Sequence, residues 1–112
     1  MLSREELLNK IHTISHEIIN KPRSKCKLLG ISQKKGEEAL EYQLPSTTKK
    51  VMMTEFYEAY KEINKNLFIR HNWYTNQFPN IDKNSPCNFT TIGAVFVRLD
   101  IAEYRNKKYY LK

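Results

Sequence analysis

His12 and His16 stand four residues apart with Glu17 beside them, a spacing that would put two imidazoles on one helical face and within reach of one metal ion. Zinc takes three or four ligands, and no third is placed by spacing, so the two read as surface histidines. Cys87 lies just ahead of an expected helix N-terminus, where partial positive charge lowers a thiol pKa, with His71 as a prospective partner. Packing accounts for both more simply. Magnesium-dependent phosphodiester cleavage needs clustered carboxylates. The only aspartates are Asp82 and Asp100, and Glu41 on an expected strand, with Glu37 or Glu38 nearby, has neither an upstream aspartate nor a following lysine to complete a centre. No catalytic centre, metal site or cofactor is expected, and the chain reads as a non-enzyme.

What remains is charge. Nineteen Lys and Arg against 12 Asp and Glu give +7, with a pI near 9.4, and clustered cations gain free energy by displacing counterions from a phosphate backbone. One concentration is Lys21, Arg23, Lys25, Lys27, Lys34 and Lys35, with no acidic residue among them. It reads first as an edge strand protected by lysine and second as a phosphate-contacting surface. The other is at the carboxyl end, where Arg98 is followed by Arg105, Lys107 and Lys108.

The elements that must position these groups fit one domain of 112 residues with an α+β fold. Ser3 and Glu6 form a capping box, and Leu7, Leu8, Ile11, Ile14, Ile18 and Ile19 recur on one face, predicting a helix over residues 4–20 that Pro22 stops. Residues 25–31 and 39–44 predict a hairpin, and the polar break 45–50 marks off a helix-plus-hairpin extension, residues 1–48, from a second unit, residues 49–112. In that second unit Thr54 is expected to cap a helix carrying Met53, Phe56, Tyr57, Tyr60, Ile63 and Leu67. A short strand at 67–69 and a short helix capped by Asn72 follow, then a loop over 79–86. Asn88 is expected to cap the last helix. There Phe89, Ile92, Val95, Phe96 and Leu99 form the apolar stripe, and Thr90, Thr91, Ala94, Val97 and Arg98 face solvent or a partner. Gly93 in its middle predicts close approach of another element or a ligand backbone. Tyr104, Tyr109 and Tyr110 are expected to pack the hairpin that closes the chain.

From Thr54 onward the order of helix, short strand, helix, helix and basic hairpin resembles the winged helix-turn-helix family, over roughly the last half of the chain. The resemblance implies that residues 88–100 are the recognition helix, with Thr90, Thr91, Ala94 and Arg98 near base edges. Arg98 would contact guanine or phosphate and the threonines phosphate or a thymine methyl. Arg105, Lys107 and Lys108 in the hairpin 103–111 would be the wing on a flanking phosphate or in the minor groove. The expected partner is nucleic acid, with duplex DNA favoured over RNA.

A rival reading makes the helix 4–20 the docking face for a partner protein or a second copy of the chain, and another makes the chain an accessory recognition subunit of a defence or mobile-element system. No apolar run is long enough to span a bilayer. With no signal-peptide pattern and with Cys26 and Cys87 far apart, a cytoplasmic protein with reduced thiols is expected.

Overall fold

The computed structural model describes residues 1–112. Ser3 opens helix α1 (Arg4–Ile14) with the predicted capping box: its hydroxyl accepts from the Glu6 N–H at 3.1 Å, and Glu6 accepts from the Ser3 N–H at 2.9 Å. The helix stops short of Asn20. The β-branched pair Ile18 and Ile19 goes instead into strand β1 (Ile18–Asn20), which pairs antiparallel with Lys25, Cys26 and Lys27. Strand β2 (Lys25–Lys34) is thus covered on one side by β1, so the lysine-rich segment is not an outer strand over its whole length.

The β2–β3 hairpin forms as predicted, with β3 spanning Glu37–Gln43 and a turn in which Lys35 and Gly36 both take positive φ, the geometry that matches the strand twist. Residues 45–47 turn the chain into strand β4 (Thr48–Met52), which the sequence pattern did not predict, and the Gln43 amide bridges that turn by donating to the Leu44 and Thr47 carbonyls. The four strands form one antiparallel meander in the order β1-β2-β3-β4.

Helix α2 (Met53–Asn66) begins at Met53 and not after Thr54. Thr54 lies inside the first turn, where its N–H and hydroxyl donate to the two Glu37 oxygens at 2.7 and 2.9 Å. A carboxylate from β3 therefore caps this helix. Burial disfavours ionised Glu37, but the two Thr54 donors and Arg4 outweigh it and lower its pKa.

Strand β5 (Phe68–Ile69) and helix α3 (His71–Gln77) follow, with Asn72 in the helix and not at its cap. The expected loop is helix α4 (Pro79–Asn84), with Pro79 at its first position, where the missing N–H costs nothing. Helix α5 (Cys87–Arg98) begins at Cys87, so Asn88 is not its cap. The chain closes with β6 (Ala102–Arg105) and β7 (Lys108–Leu111), joined by Asn106 and Lys107, both at positive φ. The second sheet has the order β5-β7-β6.

One core joins these parts. Leu7 and Ile11 of α1, Leu28, Leu40 and Tyr42 of the meander, Phe56 and Ile63 of α2, and Ile92 and Phe96 of α5 belong to the same buried cluster. Each large side chain contributes about 1.5–3 kcal/mol of burial. Helix α5 lies at the centre, in contact with β1, β4, α2, α4 and β6. No helix is long and apolar enough to cross a membrane.

Candidate functional site

The central position of α5 changes which of its residues are available. Every residue from Asn88 through Phe96 is buried except the half-buried Thr90. Thr91 and Ala94, expected on the outward face, are inside, because α5 packs against β1, β4 and β6 as well as α2 and α4. The Thr91 hydroxyl is satisfied within the helix, donating to the Cys87 carbonyl at 2.9 Å. Arg98 is exposed as expected, but its guanidinium donates twice to Glu17, at 2.7 and 2.9 Å, which raises its pKa and neutralises its charge locally. A stripe rule built for a helix with one buried face fails on a helix covered from several sides.

A buried polar network fixes the start of α5. Glu55 is fully buried and accepts from the Tyr74 hydroxyl, from the Asn88 amide at 3.1 Å and from the Met52 N–H at 2.8 Å. Asn88 also accepts from the Tyr42 hydroxyl at 2.6 Å and donates to the Lys50 carbonyl at 3.1 Å. Burial raises the Glu55 pKa against the pull of its three donors, and burial likewise raises those of Tyr42 and Tyr74. The network ties β3, β4, α2 and α3 to Asn88, and so sets where the next residues, Phe89 and Thr90, emerge.

The hairpin is locked to α5 by contact at a glycine. A Cβ at Gly93 would lie 2.2 Å from Cζ of Tyr109, so the close approach predicted for this position is made by that ring. In the hairpin register Tyr104 opposes Tyr109 and Arg105 opposes Lys108, and adjacent positions on a strand face opposite ways. The wing cations are therefore divided. Arg105 stacks 3.9 Å from the Tyr110 ring centroid and pairs with Glu103 at 3.1 Å, while the Lys108 ammonium lies 5.1 Å from that of Phe68. Lys107, at the tip, reaches the side of Tyr104 and Tyr109. Tyr109 packs as expected, whereas Tyr104 keeps 41% of its surface exposed.

That side of the hairpin is one wall of a cleft of about 440 Å³. The β1–β2 loop contributes Lys21 and Arg23 to its lining, and His71, Phe89 and Thr90 complete it. No Asp or Glu lines it. Lys21, Arg23 and Lys107 make no ion pair and no side-chain hydrogen bond elsewhere in the chain. Lys21 is half-buried with its ammonium 5.1 Å from the Tyr42 ring centroid, and burial pushes its pKa down. A partly desolvated cation without a carboxylate is a place where an anionic ligand restores lost stabilisation. The first turn of α5 adds the positive end of its dipole on the same side.

Of the residues the sequence singled out, Thr90 and Lys107 meet here. Thr91 and Ala94 are buried, Arg98 is bound to Glu17, and Arg105 and Lys108 occupy the other face of the hairpin. Lys21 and Arg23 carried a signal in the acid-free run, but nothing in the sequence joined that run to the hairpin. His71 is held by Asp82, Nε2 to Oδ1 at 2.6 Å, with Thr75 donating to the other Asp82 oxygen at 2.8 Å, and its ring stacks on Phe89 with centroids 5.1 Å apart. His12 and His16 do not share a helical face, since α1 ends at Ile14 and the His16 ring covers Gly30. No three His, Cys, Asp or Glu side chains gather where a metal ion could be held. No described protein family, curated protein or solved structure matches this chain.

Proposed function

We propose that the protein is a non-enzymatic nucleic-acid-binding protein that holds phosphate groups at the cleft between the β1–β2 loop and the β6–β7 hairpin. One observation carries the reading: Lys21, Arg23 and Lys107, from opposite ends of the chain, converge on a cleft with aromatic rings and without a single carboxylate in its lining. The element order from α2 to β7, with the second sheet ordered β5-β7-β6, supports the winged-helix resemblance as a scaffold. Fold alone does not carry function, and the buried α5 argues for contacts made beside this helix and against insertion of the helix into a major groove.

Less supports the rival reading, docking through the first helix. Leu7, Ile11 and Ile14 are already buried against the rest of the chain.

Binding driven by three phosphate contacts has a defined salt dependence. Anisotropy of a labelled oligonucleotide should show affinity falling about twentyfold to fortyfold for a fourfold rise in monovalent salt, from slopes of about 0.7 to 0.9 per contact. Association that ignores salt, or no association at all, contradicts the proposal.

A further inference from the structure

Resting on the reading above, we propose that the cleft receives one unpaired nucleotide of a single strand, its base stacked on Tyr104 and the phosphates on its two sides held by Lys21 and Lys107. The volume, about 440 Å³, lies in the range of pockets for small ligands. A base inside a duplex offers only its edges, and stacking on a side chain requires that it leave the stack.

Tyr104 is placed for that contact. Of the two tyrosines in the lining it is the exposed one, and Tyr109 braces it with ring centroids 4.9 Å apart at an interplanar angle of 54°. Tyr109 is itself fixed by Gly93 and by Phe89, whose ring meets it edge-on at 5.6 Å. The ring that supports Tyr104 is therefore in place before a ligand arrives, which lowers the ordering cost of binding. The cations share its cleft: Lys107 follows Tyr104 through the turn, and Lys21 and Arg23 belong to the same lining. A stacked base with an adjacent phosphate matches this combination of a π face and unpaired ammonium groups.

Duplex DNA lacks a comparable seat. The helix that would enter its groove is buried, Arg98 is committed to Glu17, and Arg105 and Lys108 are directed away from Lys21. The same base-plus-phosphate chemistry is offered by a DNA strand, an RNA strand and a free mononucleotide.

The test is an anisotropy comparison of oligo-dT, oligo-U and a duplex, each about 12 units long, with dTMP, UMP and inorganic phosphate as competitors. Full-length wild type is set beside Tyr104→Ala and Tyr104→Phe, with thermal melts confirming that each variant is folded. At least one single strand should bind about tenfold more tightly than the duplex. Tyr104→Ala should remove about tenfold of that affinity while moving duplex binding less than about twofold, and Tyr104→Phe should retain it. A duplex bound as tightly as the better of the two strands, or a Tyr104→Ala variant that weakens all probes alike or none, overturns the inference and leaves the nucleic-acid reading standing. Displacement by a mononucleotide at an affinity equal to the strand's overturns the strand as ligand. Failure of every oligonucleotide to bind overturns both.

Discussion

The two faces of the β6–β7 hairpin carry similar residues in opposite circumstances. On one face Arg105 and Lys108 lie over Tyr110 and Phe68, and Arg105 is further paired with Glu103. On the other, Lys107 joins Lys21 and Arg23 around Tyr104 with no acidic group among them. Cations of the first kind are served by the chain itself. Those of the second kind are gathered by folding into a lining without a carboxylate, where Lys21 has only the Tyr42 ring at 5.1 Å beside it, and the difference separates charge that maintains the structure from charge available to a ligand.

The contrast can be broken most severely at Gly93. Gly93→Ala drives a methyl group into the Tyr109 ring, and should cost about 3 kcal/mol in urea denaturation as the hairpin lifts from α5. Oligonucleotide binding should be lost with it, since Lys107 and Tyr104 leave the cleft. A variant of wild-type stability would show that the hairpin is not held at this contact.

Glu55→Gln comes next, at about 2 kcal/mol, because all three neighbours donate and the new amide must turn its own donor toward one of them. Its pH dependence has a definite sign. The folded-state pKa of Glu55 is raised, so the stability it contributes is complete below the ordinary glutamate range and is lost as pH climbs through the raised value. Denaturation midpoints across that window should slope downward in wild type and less steeply in Glu55→Gln.

A smaller effect of opposite sign is expected at Tyr109. Its hydroxyl is buried without a partner, so Tyr109→Phe should raise stability by about 1 kcal/mol. Lys21→Met is expected to leave the melting temperature undiminished while lowering affinity for an oligonucleotide, because burial opposes the Lys21 charge in the free protein. Lys108→Met, from the other face, should leave affinity within about twofold.

Much of this architecture was legible in the sequence. Ser3 and Glu6 announce α1, the alternation around Leu40 announces β3, Gly93 announces a close contact, and Asn106 and Lys107 fall at the hairpin tip. Helix ends were less legible where tertiary partners replaced local caps. Glu37 serves Thr54 from a strand, and Asn88 is drawn inward by Tyr42 and Glu55, so neither polar residue acts as its local sequence implies. Strand β4 was hidden because Lys49 and Lys50 look like loop residues, yet their amines reach the Asn84 and Gln33 carbonyls from within the sheet. The cleft was the least legible part. Its charge was visible in two segments, but only the packing of β1 beside α5 brings the first toward the second, and the burial of Thr91 and Ala94 follows from neighbours on several sides of that helix.

The most direct measurement compares two double variants, Lys21→Met with Lys107→Met and Arg105→Met with Lys108→Met, by the slope of log affinity against log salt for a labelled single strand. Removing the cleft pair should flatten the slope by about 1.4, two phosphate contacts on a single strand, whereas removing the outer pair should change it by less than about 0.4. Equal slopes for the two double variants, or a larger change from Arg105 and Lys108, would contradict the assignment of the ligand to the cleft.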